Sequence, residues 1–172
     1  MSTWIALIRG INVGGKNRVS MKELVGIMES HDFANVRFYI QSGNIVFDSA
    51  VQPDDTLCQL IEKHFGFRPA VFILSPSTFR NAIKNNPFTA TEGKQIHFYF
   101  CDTEPEYIDY ELMDSLKTAS ERYFYTDKVF YFFAPEGIGR SKLAERIPKA
   151  FKGVSLTARN LNTIYKISEM LE

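Results

Sequence analysis

The amino-acid sequence predicts an α+β fold of two similar halves in tandem, each with the order β-α-β-β-α-β and one appended helix. Short runs of β-branched and aromatic residues alternate with segments whose apolar residues recur every three or four positions. Clusters of glycine, proline and asparagine separate these segments. With 172 residues, 45% of them hydrophobic, the chain can bury one large core or two small ones.

The first half begins with an apolar strand at 3–9, which a glycine-rich loop at 10–17 follows. Ser20 and Glu23 form a capping box, and the apolar residues after Ser20 have the spacing of a helix. The β-rich runs at 36–40 and 45–48 flank Gly43 and Asn44, which tolerate positive φ, so these runs are predicted to form a hairpin.

Three further elements complete this half. Asp54 or Asp55 caps a helix that Gly66 ends, and a strand follows at 70–74. The next helix starts at Ser75, with Pro76 in the first helical position that proline prefers.

A second round of the same order follows a linker at 86–93. Its predicted elements are a strand at 95–101, a helix at 105–117, a hairpin of strands at 123–126 and 129–133, a helix at 141–147, a strand at 154–157 and a helix at 160–171. The repeated order is typical of ferredoxin-like units. We therefore predict two ferredoxin-like halves, at 1–88 and 89–172.

The composition limits the function classes. Lysine plus arginine and aspartate plus glutamate number 20 each, so no overall field favours nucleic acid or a membrane. No leader-like or membrane-spanning apolar stretch occurs, and the isolated Cys58 and Cys101 suit reduced thiols, which predicts a cytoplasmic protein without disulfides. The scattered histidines offer no metal-ligand spacing, so no metal is expected.

The first glycine-rich loop matches the phosphate-binding pattern G-x-x-x-x-G-K at residues 10–16. Asn17 replaces the Ser or Thr that would ligate Mg²⁺, the capped helix begins only at Ser20, and a hairpin follows instead of a parallel crossover. A nucleotide hydrolase of the P-loop class is therefore disfavoured. An anion-binding loop and a structural turn both stay open.

The second glycine-rich loop, at 137–142, lies between a predicted strand and a predicted helix. Gly139 permits close backbone approach, Ser141 can cap the helix, and Arg140 and Lys142 supply positive charge, so the loop forms either an anion site or a tight turn with solvated cations. Seven basic and two acidic residues lie between 136 and 166, whereas seven acidic residues and one lysine lie between 102 and 121. This polarity fits a cationic binding face or ordinary solvated helices.

Several ordered motifs resemble a bacterial family labelled "domain of unknown function 1697". They lie at residues 6–17, 41–44, 86–88, 137–143 and 157–163. The family usually has Trp where this chain has Leu161. The resemblance implies a small bacterial cytosolic protein and no particular activity.

The main functional hypothesis is the binding of an anionic, phosphate-bearing small ligand, and whether the protein is also an enzyme stays open, as do its cofactor and oligomeric state. The candidate ligand-binding residues are Gly14, Gly15, Lys16, Asn17, Ser42, Asn44, Gly139, Arg140, Ser141, Lys142, Arg159 and Asn160. Asn160 also suits a helix N-cap. We expect the two glycine-rich loops to face one cleft.

Two alternatives belong to other function classes. The first is a nucleic-acid-binding module, because ferredoxin-like sheets can present aromatic rings to bases, and Tyr123, Tyr125, Tyr131 and Phe133 alternate along a hairpin. The sequence pI of about 6.8 and the lack of interleaved cations disfavour it. The second is a structural or protein-interaction domain without a ligand.

Overall fold

The computed structural model describes residues Met1–Glu172, which divide into two compact units. The first unit consists of Met1–Asn81 and Tyr165–Glu172, and the second of Ala82–Ile164. The division thus precedes the predicted boundary between residues 88 and 89, and the C-terminal segment groups with the first unit. The Asn86-Pro87 linker indicates where the chain turns, whereas a compact unit depends on packing contacts.

The first unit forms one antiparallel four-stranded sheet and its helices. In chain order the elements are β1 (Ser2–Ile8), α1 (Met21–Glu29), β2 (Phe33–Tyr39), β3 (Asn44–Ser49), α2 (Thr56–Phe65), β4 (Val71–Leu74) and α3 (Pro76–Lys84), the last of which continues into the second unit. The strand order is β2-β3-β1-β4. The pairing of β2 with β3 confirms the predicted first hairpin.

Helix ends in the first unit follow the sequence signals. The Ser20 Oγ accepts a hydrogen bond from the Glu23 amide at 3.2 Å, which starts α1 at the predicted residue. The Ser75 Oγ accepts from the Thr78 amide at 3.1 Å at the start of α3. Gly66, with φ of +82°, ends α2 in the left-handed conformation that glycine adopts without strain.

The second unit forms a second antiparallel four-stranded sheet and one two-stranded ribbon. Its elements are β5 (Ile96–Cys101), β6 (Tyr107–Ile108), α4 (Tyr110–Leu116), β7 (Arg122–Thr126), β8 (Val129–Phe133), α5 (Lys142–Ala150), β9 (Phe151–Lys152), β10 (Leu156–Asn160) and α6 (Leu161–Met170), the last of which continues into the first unit. The main sheet has the order β10-β5-β8-β7, and β6 pairs with β9.

Two predicted elements of the second half were misplaced. The helix expected from residue 105 begins only at Tyr110, because the Asp109 carboxylate caps it by accepting from the Leu112 amide at 3.0 Å. The segment before it is held as a strand, with the Glu106 amide donating to the Lys152 carbonyl at 3.0 Å. The strand expected at 154–157 lies at Leu156–Asn160 instead, where it pairs with β5.

Each unit has its own apolar core between its sheet and two helices. In the first unit, α1 and α2 pack their buried side chains on β1 and β3. In the second unit, α4 and α5 pack on β5 and β8. The helices that pack on these antiparallel sheets give the chain a mixed α+β fold. None of the helices combines the length and the apolar character that a membrane span needs.

Candidate functional site

The first glycine-rich loop is built on a tight two-residue turn. Gly14 and Gly15 have φ of +60° and +74°, and the Lys16 amide donates to the Val13 carbonyl at 3.1 Å. Two successive residues with positive φ, closed by this bond, are typical of the type I′ turn. The Lys16 amide is therefore used by the turn, while the Lys16 side chain stays exposed.

Asn12 holds this loop in place. Its Oδ1 accepts from the Val19 amide at 2.8 Å, and its Nδ2 donates to the carbonyls of Val19 at 3.0 Å and Gln41 at 2.7 Å. One side chain thus joins both ends of the loop to the β2–β3 connection. Asn12 was not among the predicted site residues, although an Asn within a glycine-rich loop is itself a signal for positive φ, here +56°.

The β2–β3 connection needs glycine at residue 43. Gly43 has φ of +86°, and a Cβ there would lie 2.8 Å from the Ile8 Cβ and 2.9 Å from the Ile8 carbonyl oxygen. Asn44 is fully buried, and its Nδ2 donates to the Tyr39 carbonyl at 3.1 Å and the Ser42 Oγ at 3.0 Å. Both Ser42 and Asn44, predicted as ligand-binding residues, therefore form bonds that hold the hairpin.

An open pocket of about 420 Å³ lies between these two loops of the first unit. Its lining residues are Asn12, Gly15, Arg18, Val19, Ser20 and Gln41. Of the predicted ligand-binding residues only Gly15 lines it. Lys16 and Asn17 belong to the same loop, but they do not line the pocket.

Arg18, the cation that lines this pocket, belongs to a stretch of the chain without acidic residues. The stretch from residue 9 to residue 22 holds four cations, Arg9, Lys16, Arg18 and Lys22, and no acidic residue. None of the four forms an ion pair with a carboxylate. Because Arg18 lies outside the glycine motif, motif reading missed it, whereas the acid-free run was a signal that could have found it.

The second glycine-rich loop is a short 3-10 turn over Ile138–Arg140. Ser141 is buried, and its Oγ caps α5 by accepting from the Ala144 amide at 3.0 Å. Gly139, Arg140 and Lys142 are exposed, and neither cation pairs with a carboxylate. Each glycine-rich loop lies within its own unit, and their convergence on one ligand stays a prediction.

Arg159 and Asn160 were predicted as ligand-binding residues and lie at the end of β10. The Arg159 guanidinium donates to the Thr157 Oγ1 at 2.9 Å and the Ala158 carbonyl at 2.8 Å, and burial lowers its pKa to about 10. The Asn160 Oδ1 accepts from the Thr163 amide at 3.0 Å. Asn160 is therefore the N-cap of α6, which its position also suited.

The alternating aromatics of the second hairpin take part in packing. Tyr131 is fully buried, and its hydroxyl donates to the Ala82 carbonyl at 2.6 Å. The Tyr125 hydroxyl donates to Glu104 at 2.7 Å, and the Tyr123 hydroxyl donates to Asp114. The Phe133 ring stacks on the ring of Phe88. The carboxylates beside Tyr123 and Tyr125 make that part of the hairpin unfavourable for a polyanion.

No group of three or more His, Cys, Asp or Glu side chains is arranged to hold a metal ion. Cys58 and Cys101 are both free thiols. Burial raises the pKa of both, that of Cys101 to about 12, so neither is activated as a nucleophile.

The chain resembles a solved bacterial structure over almost its whole length. It is 27% identical to "conserved bacterial protein SP0830 from Streptococcus pneumoniae", with a TM-score of 0.72 and 99% of each chain covered. No curated protein matches it. A family model described as "Protein of unknown function (DUF1697)" matches residues 1–131. The chain therefore belongs to the DUF1697 family.

Proposed function

We propose that the first unit binds a small phosphate-bearing anion in the pocket between its two loops. One observation carries the proposal: Arg18 lines a pocket within an acid-free stretch of four cations and has no carboxylate partner. An arginine presents its donors as a planar fork that matches two phosphate oxygens. An unpaired arginine in a concave site is thus poised for an anionic ligand.

The other lining groups support the same chemistry. The Ser20 Oγ already accepts from the Glu23 amide, which leaves its hydroxyl hydrogen to donate to a ligand oxygen. A volume of about 420 Å³ falls in the range of small-molecule sites. The Asn12 side chain fixes the two loops against each other, so the site is formed before a ligand arrives.

A calorimetric titration with inorganic phosphate and ribose 5-phosphate tests the proposal. We expect Arg18→Ala to weaken binding at least about tenfold, because a charge-assisted hydrogen bond is lost, and to leave the melting temperature unchanged. The matched control is Arg80→Ala, which removes another exposed and unpaired arginine of the first unit, outside the pocket. Absence of binding, or equal losses in both variants, would contradict the proposal.

We also propose that the two units arose by duplication of a ferredoxin-like half. The two sheets share one strand order when β5, β7, β8 and β10 are matched with β1, β2, β3 and β4. The strand registers can be matched as well. Trp4 lies opposite Phe47 in the first sheet, and His97 lies opposite Phe132 in the second, so Trp4 is matched with His97 and Phe47 with Phe132.

The helix caps agree with the duplication. Ile5 lies opposite Leu74, and the next residue, Ser75, caps α3. Phe98 lies opposite Arg159, and the next residue, Asn160, caps α6. Superposition of the two units on these matched residues tests the proposal, and a shifted register would refute it. A bacterial, cytoplasmic setting is proposed from the Streptococcus relative and the two free thiols.

A further inference from the structure

Ile40 is held in a backbone conformation that does not suit it. Its φ is +49°, in the left-handed region, and 47% of its surface is exposed. The other non-glycine residues with positive φ are Asn12, Asn17, Asp32, Asn35, Asp127 and Lys128, none of which is β-branched. A β-branched residue there is strained, and an exposed side chain gives the fold little in return. Folding alone therefore does not account for isoleucine at this position.

Ile40 does not line the pocket itself, but its neighbour in the sequence does. Gln41, the next residue, lines the pocket, and its backbone carbonyl accepts a hydrogen bond from the Asn12 Nδ2 at 2.7 Å. Val13, the residue after Asn12, is 65% exposed. Asn12 and Gln41, the two lining residues joined by this hydrogen bond, thus each have an exposed, branched aliphatic neighbour in the sequence. We call Val13 and Ile40 the aliphatic rim.

Gln41 adds a polar group beside the rim. Its carboxamide is exposed and forms no hydrogen bond within the protein. A free carboxamide offers a donor and an acceptor side by side, which matches the hydrogen-bonding edge of a nucleobase. The lining of the pocket thus includes a cation, Arg18, and an amide, Gln41, and the aliphatic rim adjoins lining residues in the sequence.

We propose that the ligand of this pocket is a nucleotide. Arg18 binds its phosphate, the aliphatic rim packs on the faces of the base, and the Gln41 carboxamide pairs with the base edge. This inference rests on the proposed anion-binding function and adds the organic part of the ligand. Strain at Ile40 is retained because it presents an apolar side chain where a base packs.

The test compares adenosine 5′-monophosphate and guanosine 5′-monophosphate with ribose 5-phosphate, which lacks a base, by calorimetry. We expect one of the nucleotides to bind the wild type at least about tenfold more tightly than ribose 5-phosphate. Ile40→Asn should remove most of that difference without weakening ribose 5-phosphate binding. It should also raise the melting temperature by a few degrees, because Asn tolerates the left-handed conformation.

Two further variants keep the test specific. Val51→Asn replaces another exposed branched residue of the first unit, 73% exposed and outside the pocket, and should leave both affinities unchanged. Gln41→Ala removes a side chain without internal bonds and should lower nucleotide affinity alone. Equal binding of nucleotides and ribose 5-phosphate would overturn the nucleotide inference and leave anion binding standing. Absence of binding by all three would overturn both, and unchanged nucleotide affinity in Ile40→Asn would refute the role of the rim.

Discussion

Burial of His97 should make the protein lose stability as the solution becomes mildly acidic. His97 lies on β5, and its Nδ1 is buried without a hydrogen-bond partner in the protein. Burial lowers the pKa of the imidazole from 6.5 to about 4. The unfolded chain therefore takes up a proton near its ordinary pKa, whereas the folded chain does so only near the lowered value. The part of the free energy of unfolding that depends on neutral His97 is complete above the ordinary pKa, and it is lost as the pH falls toward the lowered pKa.

The size of the loss follows from these two pKa values. Integrating the difference in bound protons from about pH 7.5 to about pH 5.0 gives a decrease of about 2 kcal/mol in the free energy of unfolding. The limiting loss, below both pKa values, is about 3 kcal/mol. Either value is a large fraction of the stability of an ordinary domain.

Urea unfolding followed by circular dichroism at the two pH values measures the loss. His97→Leu removes the titrating group and should unfold with about 2 kcal/mol less dependence on pH than the wild type. His64→Gln, which replaces an exposed histidine of α2, is the matched control and should behave like the wild type. Equal losses on acidification in His97→Leu and the wild type would refute the reasoning.

Two other predictions follow from the local geometry. Gly43→Ala should lower the free energy of unfolding by at least about 2 kcal/mol, because the new Cβ would lie 2.8 Å from the Ile8 Cβ at a φ of +86°. Gly66→Ala has a similar φ of +82° but nothing within 4 Å, so it should cost only about 1 kcal/mol in the same urea titration, and equal losses would count against the steric argument. Thiol titration should count two reactive groups in the denatured protein. In the native protein Cys101 should react slowly, because burial raises its pKa to about 12. A rapid reaction of Cys101 in the native protein would contradict its burial.

Features encoded by neighbouring residues were predicted well. Ser20, Ser75 and Ser141 cap their helices as expected, because a cap needs only a hydroxyl and an amide three residues further on. The tight second hairpin has Asp127 and Lys128 at φ of +49° and +63° between its strands. The residues that form these helix caps and this hairpin turn lie within a few positions of one another in the sequence.

The misplaced elements depend on distant partners. The β6–β9 ribbon joins Tyr107 to Lys152, and no local pattern near residue 107 indicates a partner so far along the chain. This pairing converts the start of an expected helix into a strand. Tertiary contacts therefore overrode a local helical pattern.

The candidate site shows the same division. The glycine-rich loop at residues 10–17 was predictable from its local sequence, because glycine and asparagine are the residues that tolerate positive φ. Tertiary contacts select the side chains that form the pocket, because the Asn12 to Gln41 bond connects two loops that are 29 residues apart. They also make Asn44 a buried support and place Arg18 in the pocket lining. The physical reason is that backbone conformation is set by local sterics, whereas burial and pocket lining depend on where distant segments meet.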